Sequence, residues 1–148
     1  MPEDFSHDHV TVQVAIESTE FTPEQISNLV GASWDEARRI GDPRGKTGKA
    51  WQCNVWRILN RKKAVDYPGQ SADDLLPVCV AEFVERLDGI SEGLQKIVRS
   101  EGGEFGIHIT STFVPGLSFE PDTLKLIAKL GLSMDVDVVL YSSDDTEK

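Results

Sequence analysis

Ser118-Phe-Glu-Pro-Asp-Thr-Leu-Lys-Leu-Ile-Ala-Lys-Leu-Gly-Leu-Ser-Met-Asp-Val-Asp-Val-Val-Leu-Tyr, residues 118–141, decides the fold class. Glu120-Pro-Asp is a helix start, because proline suits the first helical position, where its missing N–H would be unpaired anyway. Leu124, Ile127, Ala128 and Leu130 recur at helical spacing, and Gly131 supplies a left-handed stop. Leu132, Met134, Val136, Val138 and Leu140 then alternate with other residues, the period of a strand with one face buried. Helix, stop and strand follow one another in a single segment.

The start of the chain echoes this unit. Val10, Val12, Val14 and Ile16 mark one face of a first strand. Thr22-Pro-Glu-Gln then opens a helix, with Thr22 as cap, Pro23 at the first position and Gln25 completing a capping box. Ile26, Leu29 and Val30 are its expected buried stripe, and Gly31 its stop. Ser33 to Lys49 is irregular, with Trp34 and Ile40 as anchors and a glycine-rich loop from Gly41. Trp51, Cys53, Val55 and Arg57 predict the inward face of a second strand running to Leu59, with Trp56 outward and exposed.

Asn60 to Gln70 is a polar connection ending in Tyr67-Pro-Gly. Ser71-Ala-Asp-Asp caps a long helical region, and Pro77 is tolerable only near its start. The apolar stripe from Val80 to Val98 breaks near Gly89, and Gly102-Gly103 ends it. Phe105, Ile107 and Ile109 mark a third strand, and Pro115-Gly116 a turn. The expected fold is therefore α+β: a ferredoxin-like sandwich with a four-stranded, mainly antiparallel sheet and helices on one face. Two β-α-β halves are joined by the long helical segment. One domain covers 10–141, flanked by a flexible N-terminus (1–9) and a flexible acidic tail (142–148).

The 148 residues suit one domain with a real core. At 39% hydrophobic and 27% charged, the composition is that of a folded soluble protein. No apolar run approaches the roughly 20 residues of a membrane helix. Met1-Pro-Glu-Asp-Phe-Ser-His-Asp-His is acidic and polar, unlike a secretory leader, so the expected location is the cytoplasm. Cys53 and Cys79 are the only cysteines and neither lies in a CxxC, so neither a disulfide framework nor a cysteine-based zinc site is indicated.

Net charge is −10 but unevenly spread. Arg38 to Lys63 holds nine basic residues against the single acid Asp42, a charge of +8, so the other residues carry −18. An acidic body disfavours nucleic acid, whose phosphates dominate binding, and attracts a basic partner.

Thr22-Pro-Glu-Gln-Ile-Ser-Asn-Leu-Val-Gly after a first strand, Gly41-Asp, the strand led by Trp51, and the 117–137 stretch together resemble the bacterial family called domain of unknown function 4279. The resemblance covers about residues 10–141. It implies a small bacterial cytoplasmic α+β protein and transfers no catalytic residue. Val138-Val-Leu-Tyr is a departure, since the family pattern brings a tyrosine soon after the aspartate.

Chemistry is thinly written. Gly41-Asp-Pro-Arg-Gly-Lys-Thr has three residues between its first glycine and Gly-Lys, where a phosphate-binding loop needs four. Arg38, Arg39, Arg44, Lys46 and Lys49 form a looser candidate anion site, or simply a solvated loop. His7-Asp-His9 has metal-compatible ligands without a fold around them, and no metal or cofactor is expected. His108 sits opposite Ile107 and Ile109 as a partly exposed strand residue. Asp135 and Asp137 share a strand face, roughly 6–7 Å apart, as ordinary exposed acids or a carboxylate pair. Cys53 reads as a small core residue, and no serine motif is present.

The leading functional expectation is a non-enzymatic protein-binding protein. Its most concrete form is an immunity protein neutralising a basic toxin, by analogy with other small acidic α+β proteins. Glu82, Glu85, Asp88, Glu92, Asp135 and Asp137 are the candidate acidic contacts. The alternative is a small anion- or ligand-binding module, or an enzyme, using segment 38–63. A third reading is self-association through a sheet edge. No nucleic acid or membrane partner is expected, and the chain is a monomer or homodimer.

Overall fold

The computed structural model describes residues 8–46, 48–70, 72–100, 106–112 and 118–139. The expected features at His7, Ser71, Gly102-Gly103, Phe105, Pro115-Gly116, Leu140 and the 142–148 tail lie outside them. Among the described residues the elements run β1 (His9–Ser18), α1 (Pro23–Val30), β2 (Glu36–Arg38), β3 (Asn54–Lys63), α2 (Ala72–Asp88), α3 (Ser91–Ser100), β4 (Gly106–Ser111), α4 (Pro121–Leu130) and β5 (Ser133–Val138).

β1 lies at the centre because its apolar alternation is the most complete. Val10, Val12, Val14 and Ile16 are all buried. They meet Ile26 and Val30 of α1, Leu76, Phe83 and Leu87 of α2, Leu94 and Ile97 of α3, and Ile127 and Leu130 of α4 in one core cluster. Each such side chain contributes roughly 1.5–3 kcal/mol on burial. All four helices therefore cover the same sheet face.

The local signals hold at the helix ends. Thr22 Oγ1 accepts from Gln25 N–H while Gln25 Oε1 accepts from Thr22 N–H, the reciprocal capping box. Gly31 closes α1 in the left-handed region at φ 82°, and Gly131 closes α4 at φ 67°. The long helical region divides into α2 and α3 at Gly89-Ile90. Pro77 lies in the second turn of α2, and the helix runs on past it.

The topology corrects the expected sheet. Five strands, not four, run in the order β2-β3-β1-β4-β5. β1 is antiparallel to both β3 and β4, β2 is antiparallel to β3, and β4 is parallel to β5, so the sheet is mixed and not ferredoxin-like. α+β stands. The two halves differ despite their matching helix punctuation. In the second, α4 returns the chain to the starting end and β5 runs parallel to β4. In the first, residues 31–53 add β2 and a hairpin, which reverses the chain before β3 pairs antiparallel with β1. Caps specify where a helix stops, not which way the next strand runs.

Several faces also differ from expectation. β3 begins at Asn54, and its inward set is Asn54, Trp56 and Ile58 rather than Trp51, Cys53 and Val55. Trp56, expected outside, is 0% exposed, and its Nε1–H donates to Ser27 Oγ at 2.9 Å. The register decides this: Trp56 pairs with Ile16, and directly paired residues share a face. Val55 is buried as well, so both phases look apolar and alternation alone is ambiguous. Leu29 is 55% exposed and Leu124 is 48% exposed, each on the outer side of its helix, and Ile40 is exposed rather than an anchor.

Candidate functional site

With every helix on one side, the alternate residues of the strands form a second face that no described helix covers. Ladder register gives its rows. Gln13 of β1 lies between Leu59 of β3 and His108 of β4, and His108 lies opposite Asp135 of β5. Thr11 lies between Arg61 and Thr110, and Thr110 lies opposite Asp137. Ala15 lies opposite Arg57, which pairs with Glu36 of β2. The face is thus dipolar, with Arg57, Arg61 and Lys63 on β3 and Asp135 and Asp137 on β5.

Three contacts organise it. Arg61 Nε–H donates to Thr11 Oγ1 at 3.0 Å, and Arg57 Nη1 meets Glu36 Oε2 at 3.0 Å. His108 Nε2 lies 2.9 Å from Asp137 Oδ2. The sequence offered each partner of the last pair as a polar residue on an alternating strand. Their meeting depends on β4 and β5 being neighbours, which alternation does not reveal. Ala15 and Gly106 are small enough to leave a hollow of about 200 Å³, lined also by Gln13, Ile107, His108, Ser133 and Asp135.

The six candidate acidic contacts divide between layers. Asp135 and Asp137 are exposed on the uncovered face, while Glu82, Glu85 and Asp88 lie on α2 and Glu92 on α3. Glu82 Oε2 lies 3.2 Å from Lys62 Nζ. Lys62 is buried on the helix side, its ammonium donating to Tyr67 Oη at 3.1 Å, and that bond raises its pKa above the ordinary lysine value. Asp88 pairs with Lys129 at 3.6 Å and Glu92 with Lys96 at 3.5 Å. Glu85 is exposed.

The basic residues are dispersed over several elements. Arg38 is on β2, while Arg39 crosses to α1 and pairs with Glu24. That guanidinium holds the Glu24 carboxyl down to about 2, and the carboxylate in turn raises the Arg39 pKa. Arg44, Lys46 and Lys49 belong to a hairpin arm closed by Arg44 N–H to Lys49 O and a Pro43–Ala50 bridge. Arg44 lies over the Trp51 ring, 4.8 Å from its centre. The Gly41 segment is therefore a hairpin and opens no helix, so it lacks the context of a phosphate loop.

The cysteines are quiet thiols. Burial pushes Cys79 up to about 12 and raises Cys53 as well. Cys53 is half-buried and outside the core cluster. Among the described residues no three His, Cys, Asp or Glu side chains are grouped to hold a metal, and no helix is long and apolar enough to cross a membrane.

The family model described as Domain of unknown function (DUF4279) matches residues 8–141 of the chain. No curated protein and no solved structure matches it.

Proposed function

The chain belongs to the DUF4279 family, and on that premise we propose that it acts in the cytoplasm by binding another protein, as a non-enzymatic neutraliser of a basic bacterial toxin. The observation that carries this reading is the sheet face that no described helix covers, with Asp135 and Asp137 along its β5 margin. A sheet face without a covering layer is a broad, preformed surface that a partner can occupy with little rearrangement. The acid excess over the rest of the chain supports attraction of a basic protein at a distance. The dipole across the face would then orient that partner, basic patch over β5 and acidic patch over β3. Glu82, Asp88 and Glu92 are already engaged with lysines in the helical layer, and Asp137 is engaged with His108, which makes Asp135 the favoured contact on the sheet face.

The test is affinity capture from source-organism lysate on immobilised wild type and on the D135K/D137K variant. The expected result is one basic protein held near stoichiometrically by the wild type, released by salt and lost with the variant. Equal retention by both would overturn the assignment of the face. An empty column, with Tm raised by phosphate or citrate, would overturn protein binding in favour of an anion module on segment 38–63.

A further inference from the structure

The hollow on the uncovered face has a specific chemistry. Its floor holds the two smallest residues of the lining, Ala15 and Gly106, which lie just beyond the last β1–β4 pair, Gln13 and His108. A Cβ at Gly106 would press on Ser133 Oγ, which would have to turn aside, and would lie 3.1 Å from Ser133 O. The lining includes the Asp135 carboxylate, an acceptor, and the Gln13 amide and Ser133 hydroxyl, each able to accept. His108, beside them, has its Nε2 engaged with Asp137 Oδ2 at 2.9 Å. Among the described residues no hydrogen bond or ion pair engages the side chains of Gln13, Ser133 or Asp135. The neighbouring cation, Arg57, is paired with Glu36.

We propose that this hollow receives the guanidinium of an arginine side chain, presented by the basic protein partner inferred above. The inference rests on that reading for the source of the arginine. Separate acceptors around a flat floor suit a planar fork of five N–H donors better than a compact ammonium. Negative charge on Asp135 supplies the complement that a neutral amide ligand would not use.

Capped arginine tests the hollow without any partner. Titrated into the full chain, it should shift the backbone amide signals of Gly106 and His108 saturably, with Kd on the order of 1 mM for so small a ligand. Capped citrulline, its neutral isostere, should shift them at least tenfold less, and capped lysine should bind more weakly than arginine. D135N should abolish the shift. A15M, which fills the hollow and removes no charge, should abolish it too, whereas E85Q on α2 should leave it intact. Absence of a saturable shift, equal response to citrulline, or survival of the response in A15M would overturn the proposal. If capped arginine fails while the acid-dependent capture succeeds, the hollow falls and protein binding stands. If arginine binds while the column stays empty, the hollow stands and the partner falls.

Discussion

Gly93 sits where α3 crosses the end of α1. A Cβ there would lie 2.7 Å from Leu29 O and 2.8 Å from Val30 Cα, both backbone atoms that cannot swing aside. Gly93→Ala is therefore expected to cost about 1–3 kcal/mol through overpacking, seen as a Tm lower by roughly 2–12 °C. Gly89 is the control: an added Cβ would meet only Arg86 O at 3.6 Å, an ordinary contact. Gly89→Ala should leave Tm unchanged or raise it slightly, because it restricts the unfolded chain. The sequence marked only Gly89, as the break in the helical stripe, whereas the close approach at Gly93 depends on α3 meeting α1 and leaves no local signal. Trp56 shows the same limit, since only pairing with Ile16 reveals which side it faces.

At the scale of elements, α1 is tied to the end of β2 by Glu24 and Arg39. The Glu24 carboxyl should titrate near 2 by carbon-detected NMR, and Arg39→Gln should return it towards 4.5. Because the folded value is the lower one, the tie contributes stability above the unfolded pKa. That contribution fades as pH falls from 4.5 through about 2. The Tm gap between wild type and Arg39→Gln should accordingly narrow over that interval. The gap should be small and shrink with salt, since the pair is exposed. The elements themselves were well written: Thr22, Pro23 and Gly31 delimit α1, and Pro121 and Gly131 delimit α4. β2 was not, because a three-residue strand is too short to show a period.

For the whole molecule, position in the sheet should set the order of opening. β1 is paired on both sides and packed under α2, whereas β5 is a margin strand with four of its six residues exposed. Hydrogen exchange should be slowest in β1 and β3, faster in β5, and fastest in the arm residues 44–46 and 48–50. Protection in β5 equal to that in β1 would contradict this order. The same arrangement governs the candidate site. Asp135 and Asp137 were legible as a pair on one strand face, while the acids of α2 and α3 belong to the helical layer. Charge counted along a chain does not say which layer each charge joins.

By itself the sequence determined the class of the fold, the limits of α1 and α4, the break between α2 and α3, and the acid excess around a basic segment. These are local properties, set by caps, glycine conformations, apolar period and composition. Only the tertiary structure decided the five-stranded mixed order, the burial of Trp56, the meeting of His108 with Asp137, and the hollow between Ala15 and Gly106. Each of these depends on which strands become neighbours and in what register. That choice is made by how four helices bury one sheet face together, and no short stretch of chain carries it.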